Sequence, residues 1–170
     1  MVALARQIGT LHLRLGPRGA LELDGEGPPL GEAPPPEDAL ALSGEQITLG
    51  GPGQAQLLMF VSPGCHVCDQ VLPSVSAATS SGPFRPYVIT DVDVFETSQG
   101  LDVKSIPAPV IPGQGIAMRY EVPGTPYVIL LDASGIVRAK GTVNNLEQVE
   151  GLIDTALRRM NEPDLERHTG

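Results

Sequence analysis

Hydrophobic positions fall into short runs separated by Gly- and Pro-rich stretches. The run Leu57 to Val61 has the length of a buried strand, and Ser62, Pro63 and Gly64 stop it. A helix is expected directly afterwards, from Cys65 to about Ala78, kinked at Pro73 because proline cannot donate the intrahelical bond. Tyr87 to Val94 is apolar and β-branched and predicts a second core strand. Tyr127 to Leu131 predicts a third, with Asp132 to Gly135 as a turn and Ile136 to Gly141 as its antiparallel neighbour. Leu146, Val149, Leu152, Ile153 and Leu157 make one face of a final helix that Asn144 or Asn145 can cap. Ahead of the first core strand, Ala39 to Leu42 and Gln46 to Leu49 flank Ser43, Gly44 and Glu45, a hairpin signal. Between the second and third core strands the pattern is weak. A short helix within Ser98 to Lys104, a proline-interrupted stretch from Ile106 to Pro112 and a helical turn over Ile116 to Tyr120 are the expectations there. The order strand, helix, strand, helix, strand, strand, helix predicts an α/β fold, a mixed central sheet flanked by helices.

Val2 to Leu15 carries Leu4, Ile8, Leu11 and Leu15 at helical spacing, which predicts a short amphipathic helix. Gly16 to Pro36 reads as an extended linker, with one short strand at Leu21 and Leu23, and the tail from Asn161 is polar. The chain therefore divides into an N-terminal helix and Pro/Gly-rich linker over 1–30, one folded domain over 31–160 and a polar tail over 161–170. A length of 170 residues suits one domain with an extension. The 20 Gly and 17 Pro imply long loops, and the net charge of -9 argues against nucleic acid or an anionic membrane face as the main partner. No run approaches a membrane span and no charged-then-apolar signal opens the chain, so as given it reads as soluble.

Cys65 and Cys68 are the only cysteines, and their spacing puts them on one face of a first helical turn, close enough to be bridged. A strand that delivers a Cys-x-x-Cys pair to a helix N-terminus is a thiol-disulfide exchange site. Backbone N–H groups and the positive end of the helix dipole hold the Cys65 thiol below its ordinary pKa range. Other uses of the pair fit less well. A structural zinc site needs about four ligands and would have to recruit the scattered His12, His66 and His168. A c-type haem site needs His directly after the second cysteine, where Asp69 stands. Two inert thiols belong inside an element rather than at a Gly-preceded helix start. No cofactor and no metal ligand set is expected.

This order of elements, the Cys-x-x-Cys at the start of the first domain helix and the Thr-Pro before the third core strand together resemble the thioredoxin fold, over about Gly31 to Met160. The hairpin ahead of the first core strand is similar to that of the membrane-tethered thioredoxins of the TlpA and ResA type. A closer resemblance lies in Ala5-Arg6-Gln7-Ile8-Gly9 with Leu11-His12, in Ser62-Pro63-Gly64-Cys65-His66-Val67-Cys68 with Leu72-Pro73, and in Gly124-Thr125-Pro126-Tyr127 followed by Gly135 and Ala139-Lys140-Gly141. Together these look like the MauD family of methylamine dehydrogenase accessory proteins. The resemblance implies a periplasm-facing thiol-disulfide oxidoreductase that forms or isomerises disulfides in a cysteine-containing client. Methylamine dehydrogenase small subunit is the client the family implies, and a separate protein is its redox partner. Family members begin with one membrane helix, so the natural full-length form is expected to be membrane-anchored, with Val2 to Leu15 as the polar end of that helix.

Carried over residue by residue, the resemblance makes Cys65 the attacking cysteine, Cys68 the resolving one, and Pro126 the cis-proline that borders the active site, with Thr125 beside it. Two departures stand out. Met59, six residues before Cys65, occupies the place where thioredoxins keep a buried acid that helps deprotonate the resolving cysteine. His66 stands in the variable pair where relatives commonly have proline; it is either an inert first-turn residue or, when protonated, a positive charge beside Cys65. Both departures favour an oxidant over a reductant. A reductase keeping client cysteines reduced is the alternative within the same chemistry. A peroxiredoxin-like peroxidase is disfavoured, because Ser62 mimics its Thr but Leu58 occupies its proline position. A Cu(I)-delivery protein using both thiolates and His66 lacks any supporting Met- or His-rich segment.

Overall fold

Strand β3 (Gln56–Val61) is buried at every residue because it is the middle of a five-stranded sheet covered on both faces. A computed structural model describes residues 22–80 and 82–162 of the chain. The helix expected over Val2 to Leu15 lies outside them, as does Leu21, and Leu23 joins no strand. The sheet order is β5 (Val110–Pro112), β4 (Arg85–Thr90), β3, β6 (Tyr127–Leu131), β7 (Val137–Thr142). β3 runs parallel to β4, β4 parallel to β5, and β6 is antiparallel to both β3 and β7. The helices are α1 (His66–Val71), α2 (Ser74–Thr79), α3 (Val94–Gly100), α4 (Gln114–Arg119) and α5 (Leu146–Asn161), with a 3-10 turn at Val103–Ser105.

Because side chains alternate across a strand, β3 feeds two cores. Leu57, Met59 and Val61 point into a cluster with Cys68, Val71 and Val75 of α1 and α2 and with Val149, Leu152, Ile153 and Ala156 of α5. Leu58 and Phe60 point the other way, against Ile116 of α4, Tyr120, and Ile47 and Leu49 of the hairpin. Full burial of each such side chain contributes roughly 1.5–3 kcal/mol, so the double-sided covering is the main force that fixes β3 as the platform for the residues that follow it. The hairpin, β1 (Glu37–Leu40) and β2 (Gln46–Leu49), is a separate antiparallel sheet. Buried Gln56 anchors it to β3: the side-chain carbonyl accepts from Gly50 N at 2.8 Å and the amide donates to Thr48 O at 2.9 Å.

Several boundaries differ from the sequence expectation for local reasons. The helix expected over Cys65 to Ala78 is two helices. Leu72 N closes the last bond of α1 onto Cys68 O at 2.9 Å, and Pro73, lacking an N–H, starts α2 instead of continuing α1. The strand expected over Tyr87 to Val94 ends at Thr90, because the Asp93 side chain accepts from Glu96 N at 2.9 Å and caps α3 from Val94 onward. The short helix expected at Ser98 to Lys104 is α3 followed by the 3-10 turn. β5, hidden among prolines in the sequence, is an edge strand, where a missing N–H is tolerated. Of the two candidate caps for α5, Asn145 holds the place, accepting from Gln148 N at 3.0 Å.

Candidate active site

Three strand ends meet at one edge of the sheet. β3 and β4 run in parallel with Val61 opposite Thr90, and β6 enters antiparallel with Tyr127 opposite Phe60. Continuing that register by one or two residues sets Ser62 across from both Asp91 and Thr125. The sequence then turns out of β3 through Pro63 and Gly64, whose φ of 77° is left-handed backbone that favours glycine, and enters α1. Cys65 is the N-cap of α1: its backbone is extended, and its Sγ accepts from Cys68 N at 3.2 Å.

Cys65 and Cys68 are joined as a disulfide with Cα atoms 5.2 Å apart. The two halves differ in surroundings. Cys68 is 0% exposed and lies in the same apolar cluster as Met59, whereas Cys65 is only partly buried at the rim of that cluster. A partly buried and a fully buried cysteine in one bond make attack from outside one-sided. His66 is exposed, and its Nε2 lies 3.2 Å from Gln70 Nε2 one turn on. The Thr125-Pro126 bond is cis, with Pro126 buried and Thr125 partly exposed. Neither the N–H nor the C=O of Thr125 is paired among the described residues. Tyr127, next in the chain, donates from its hydroxyl to Glu26 O at 3.3 Å, and burial first, then the Glu26 and Glu22 carboxylates, push that hydroxyl well above its usual range. Gly27 lets this approach happen, since a Cβ there would stand 2.5 Å from the Tyr127 hydroxyl.

The structure thus brings Cys65, Cys68, His66, Thr125 and Pro126 to one end of the sheet. Sequence reasoning did not single out Asp91. Ser62 Oγ donates to Asp91 Oδ2 at 2.6 Å and lies 2.8 Å from Thr125 Oγ1, so the three side chains form one row across the strand ends. The other carboxylate oxygen, Asp91 Oδ1, is buried without a partner among the described residues. The only signal for Asp91 in the sequence is its place just after a core strand, and its partner becomes visible only with the pairing register.

No protein-family model matches the chain. The chain is 35% identical over 159 residues to the methylamine utilization protein MauD of Methylobacillus flagellatus, covering 91% of this chain and 77% of that protein. It is 34% identical over 158 residues to MauD of Methylorubrum extorquens, with the same coverage of 91% and 77%. Among solved structures, the thioredoxin domain of a thiol-disulfide oxidoreductase from Bacteroides vulgatus superposes with a TM-score of 0.58 at 18% identity, over 75% of this chain and 97% of that one. That likeness is one of fold: the α/β sandwich with its N-terminal hairpin is a thioredoxin fold. At 34–35% identity over 91% of this chain and 77% of each relative, the chain belongs to the methylamine utilization protein MauD family.

Proposed function

We propose that this protein is a thiol-disulfide oxidoreductase that forms or isomerises disulfides in secreted or periplasmic proteins, with Cys65 as the exchanging sulfur and Cys68 as the resolving one. The observation that carries the reading is the Cys65–Cys68 disulfide at a helix start, with Cys65 partly exposed and Cys68 enclosed. In the oxidising direction a client thiolate attacks Cys65 Sγ, the Sγ–Sγ bond breaks, and Cys68 leaves as a thiolate that takes up a proton. A second client thiolate then attacks the client sulfur of the mixed disulfide and expels Cys65 as a thiolate. The client gains one disulfide and loses two protons and two electrons; the protein gains both, and a redox partner protein reoxidises it. The hydrogen bond from Cys68 N to Cys65 Sγ, at 3.2 Å, favours Cys65 as the leaving thiolate.

Thr125 supports the client side of the reading. Its N–H and C=O beside Pro126, unpaired among the described residues, suit an extended client segment docking as an added strand. The MauD relatives are named for methylamine utilization, so the client proposed here is a cysteine-containing protein of that process, methylamine dehydrogenase small subunit being the candidate. The proposed location is the periplasm, with a membrane anchor in the full-length form; no helix among the described residues is long and apolar enough to cross a membrane. An oxidising compartment suits a protein that donates disulfides. The test is transfer to a reduced, unfolded model client from stoichiometric oxidised protein. Wild type is expected to lose its Cys65–Cys68 disulfide as the client gains one, Cys65→Ser to transfer nothing, and Cys68→Ala to accumulate a mixed disulfide on Cys65 when offered an oxidised client. A wild type that transfers no disulfide would contradict the reading.

A further inference from the structure

The row formed by Asp91, Ser62 and Thr125 has a direction set by donor count. A serine hydroxyl has one proton and two acceptor lone pairs, and a carboxylate only accepts. Ser62 Oγ gives its proton to Asp91 Oδ2 at 2.6 Å, so the 2.8 Å contact between Ser62 Oγ and Thr125 Oγ1 must use the proton of Thr125. Thr125 therefore has no hydroxyl proton left for anything outside the row and meets the surface as an acceptor only. The row also ties two loops together. Cys65 N donates to Ser62 O at 3.2 Å, so the segment that turns into the cysteine pair and the loop that carries cis-Pro126 are held through one serine.

We propose that Asp91 is a positioning residue for disulfide exchange: acting through Ser62, it holds Thr125 against the segment leading to Cys65 and keeps the Thr125 hydroxyl as an acceptor for an N–H of the docked client. The inference rests on the thiol-disulfide reading above. What an ionised carboxylate adds is the one-way order of the protons. The amide that Asp91→Asn introduces would accept from or donate to Ser62 equally, so Thr125 would be free to turn its proton outward and present a donor to a client donor.

A double-mutant cycle between Asp91 and Thr125 tests this, with the protein acting on a reduced, unfolded model client, excess glutathione disulfide reoxidising it to two glutathiones per turnover, and the client KM and kcat measured separately. Asp91→Asn, nearly isosteric, is expected to raise KM about five- to ten-fold with kcat within about two-fold, the loss of one hydrogen bond made on docking. In a Thr125→Val background the same substitution is expected to change KM little, because the group through which Asp91 acts is gone. Should Asp91→Asn fold poorly, Thr125→Val against Thr125→Ser carries the test: Val raises KM and Ser, which restores the hydroxyl, recovers most of the loss. Equal effects of Val and Ser, an Asp91→Asn protein with wild-type KM, or a KM rise of the same size in the Thr125→Val background would each overturn the proposal while wild type still exchanges disulfides. A wild type that exchanges none removes the functional reading and this inference with it.

Discussion

Cys65 and Cys68 sit one helical turn apart and differ in what covers them: Cys68 is sealed among Met59, Val71 and Val75, while Cys65 lies at the rim and its sulfur accepts the Cys68 amide. In the reduced protein, brief alkylation near pH 6 is therefore expected to label Cys65 first, as mass mapping would show; preferential labelling of Cys68 would reverse the two roles. A second single-residue consequence lies at the far end of β6. Burial pushes the Asp132 carboxyl up, but hydrogen bonds from Arg138 Nε at 2.7 Å, Ile136 N at 3.0 Å and Ser134 N at 2.8 Å, with the Arg138 charge, outweigh it and leave the group below its usual range. A carboxyl lowered in the folded state stabilises above its unfolded value of about 3.9, and that stabilisation is lost as pH falls from there through the folded value. Asp132→Asn should accordingly be less stable than wild type at pH 7, and the gap should narrow by pH 3 in denaturant titrations. A gap of unchanged size would show that the charged form of Asp132 is not what stabilises this turn.

Elements of this fold were readable from sequence where one apolar run made one element. Leu57 to Val61 and Tyr127 to Leu131 are strands on two-sided burial alone, and the α5 stripe is a plain helical face. Elements whose existence depends on a neighbour were not. β5 is three residues long with Pro112 at its end, and it exists because β4 offers it a parallel edge from Val88 to Thr90. The stretch Glu22 to Gly27 is another such case, held without regular structure. Arg159 grips the Glu22 carboxylate through both Nη atoms at 3.0 and 2.9 Å, and the fully buried Lys140 donates from Nζ to Glu26 O at 2.5 Å. No carboxylate forms an ion pair with Lys140 among the described residues, so its ammonium is desolvated for a single carbonyl. Replacing a poorly compensated buried charge by an apolar chain of similar shape is commonly neutral or stabilising, whereas truncating it opens a cavity. Lys140→Met is thus expected to unfold at the wild-type denaturant midpoint or above it, and Lys140→Ala to lose about 2 kcal/mol or more. Equal losses in both variants would mean that the ammonium itself, not the filled volume, holds this strap in place.

For the molecule as a whole, the candidate site is the place where β3 and β4 end and β6 begins, and this explains what the sequence could and could not reveal. The place of Cys65 and Cys68 at the end of β3 was readable from a short local motif beside an apolar run, and the cis bond at Thr125-Pro126 from the family resemblance. Asp91 was not, since its link to Ser62 spans 29 residues and to Thr125 runs across three strands, which only the register brings into line. The same assembly places Met59 in the core beneath the pair, so the buried acid that serves reduction in thioredoxins is replaced by an apolar side chain. His66 is exposed on the first turn of α1, with its Nε2 beside Gln70 Nε2. The amide bond to Cys65 Sγ stabilises the Cys65 thiolate and so the reduced form of the pair, which is the basis for expecting its disulfide to be an oxidant. The central claim is that the pair is poised to hand disulfides to clients, and equilibration of the Cys65–Cys68 couple against glutathione buffers measures that poise directly. The expected potential lies above the roughly -270 mV of thioredoxin, in the range of about -120 to -180 mV of dedicated oxidants and isomerases. A potential at or below roughly -270 mV would contradict the account and make the protein a reductase that keeps client cysteines open.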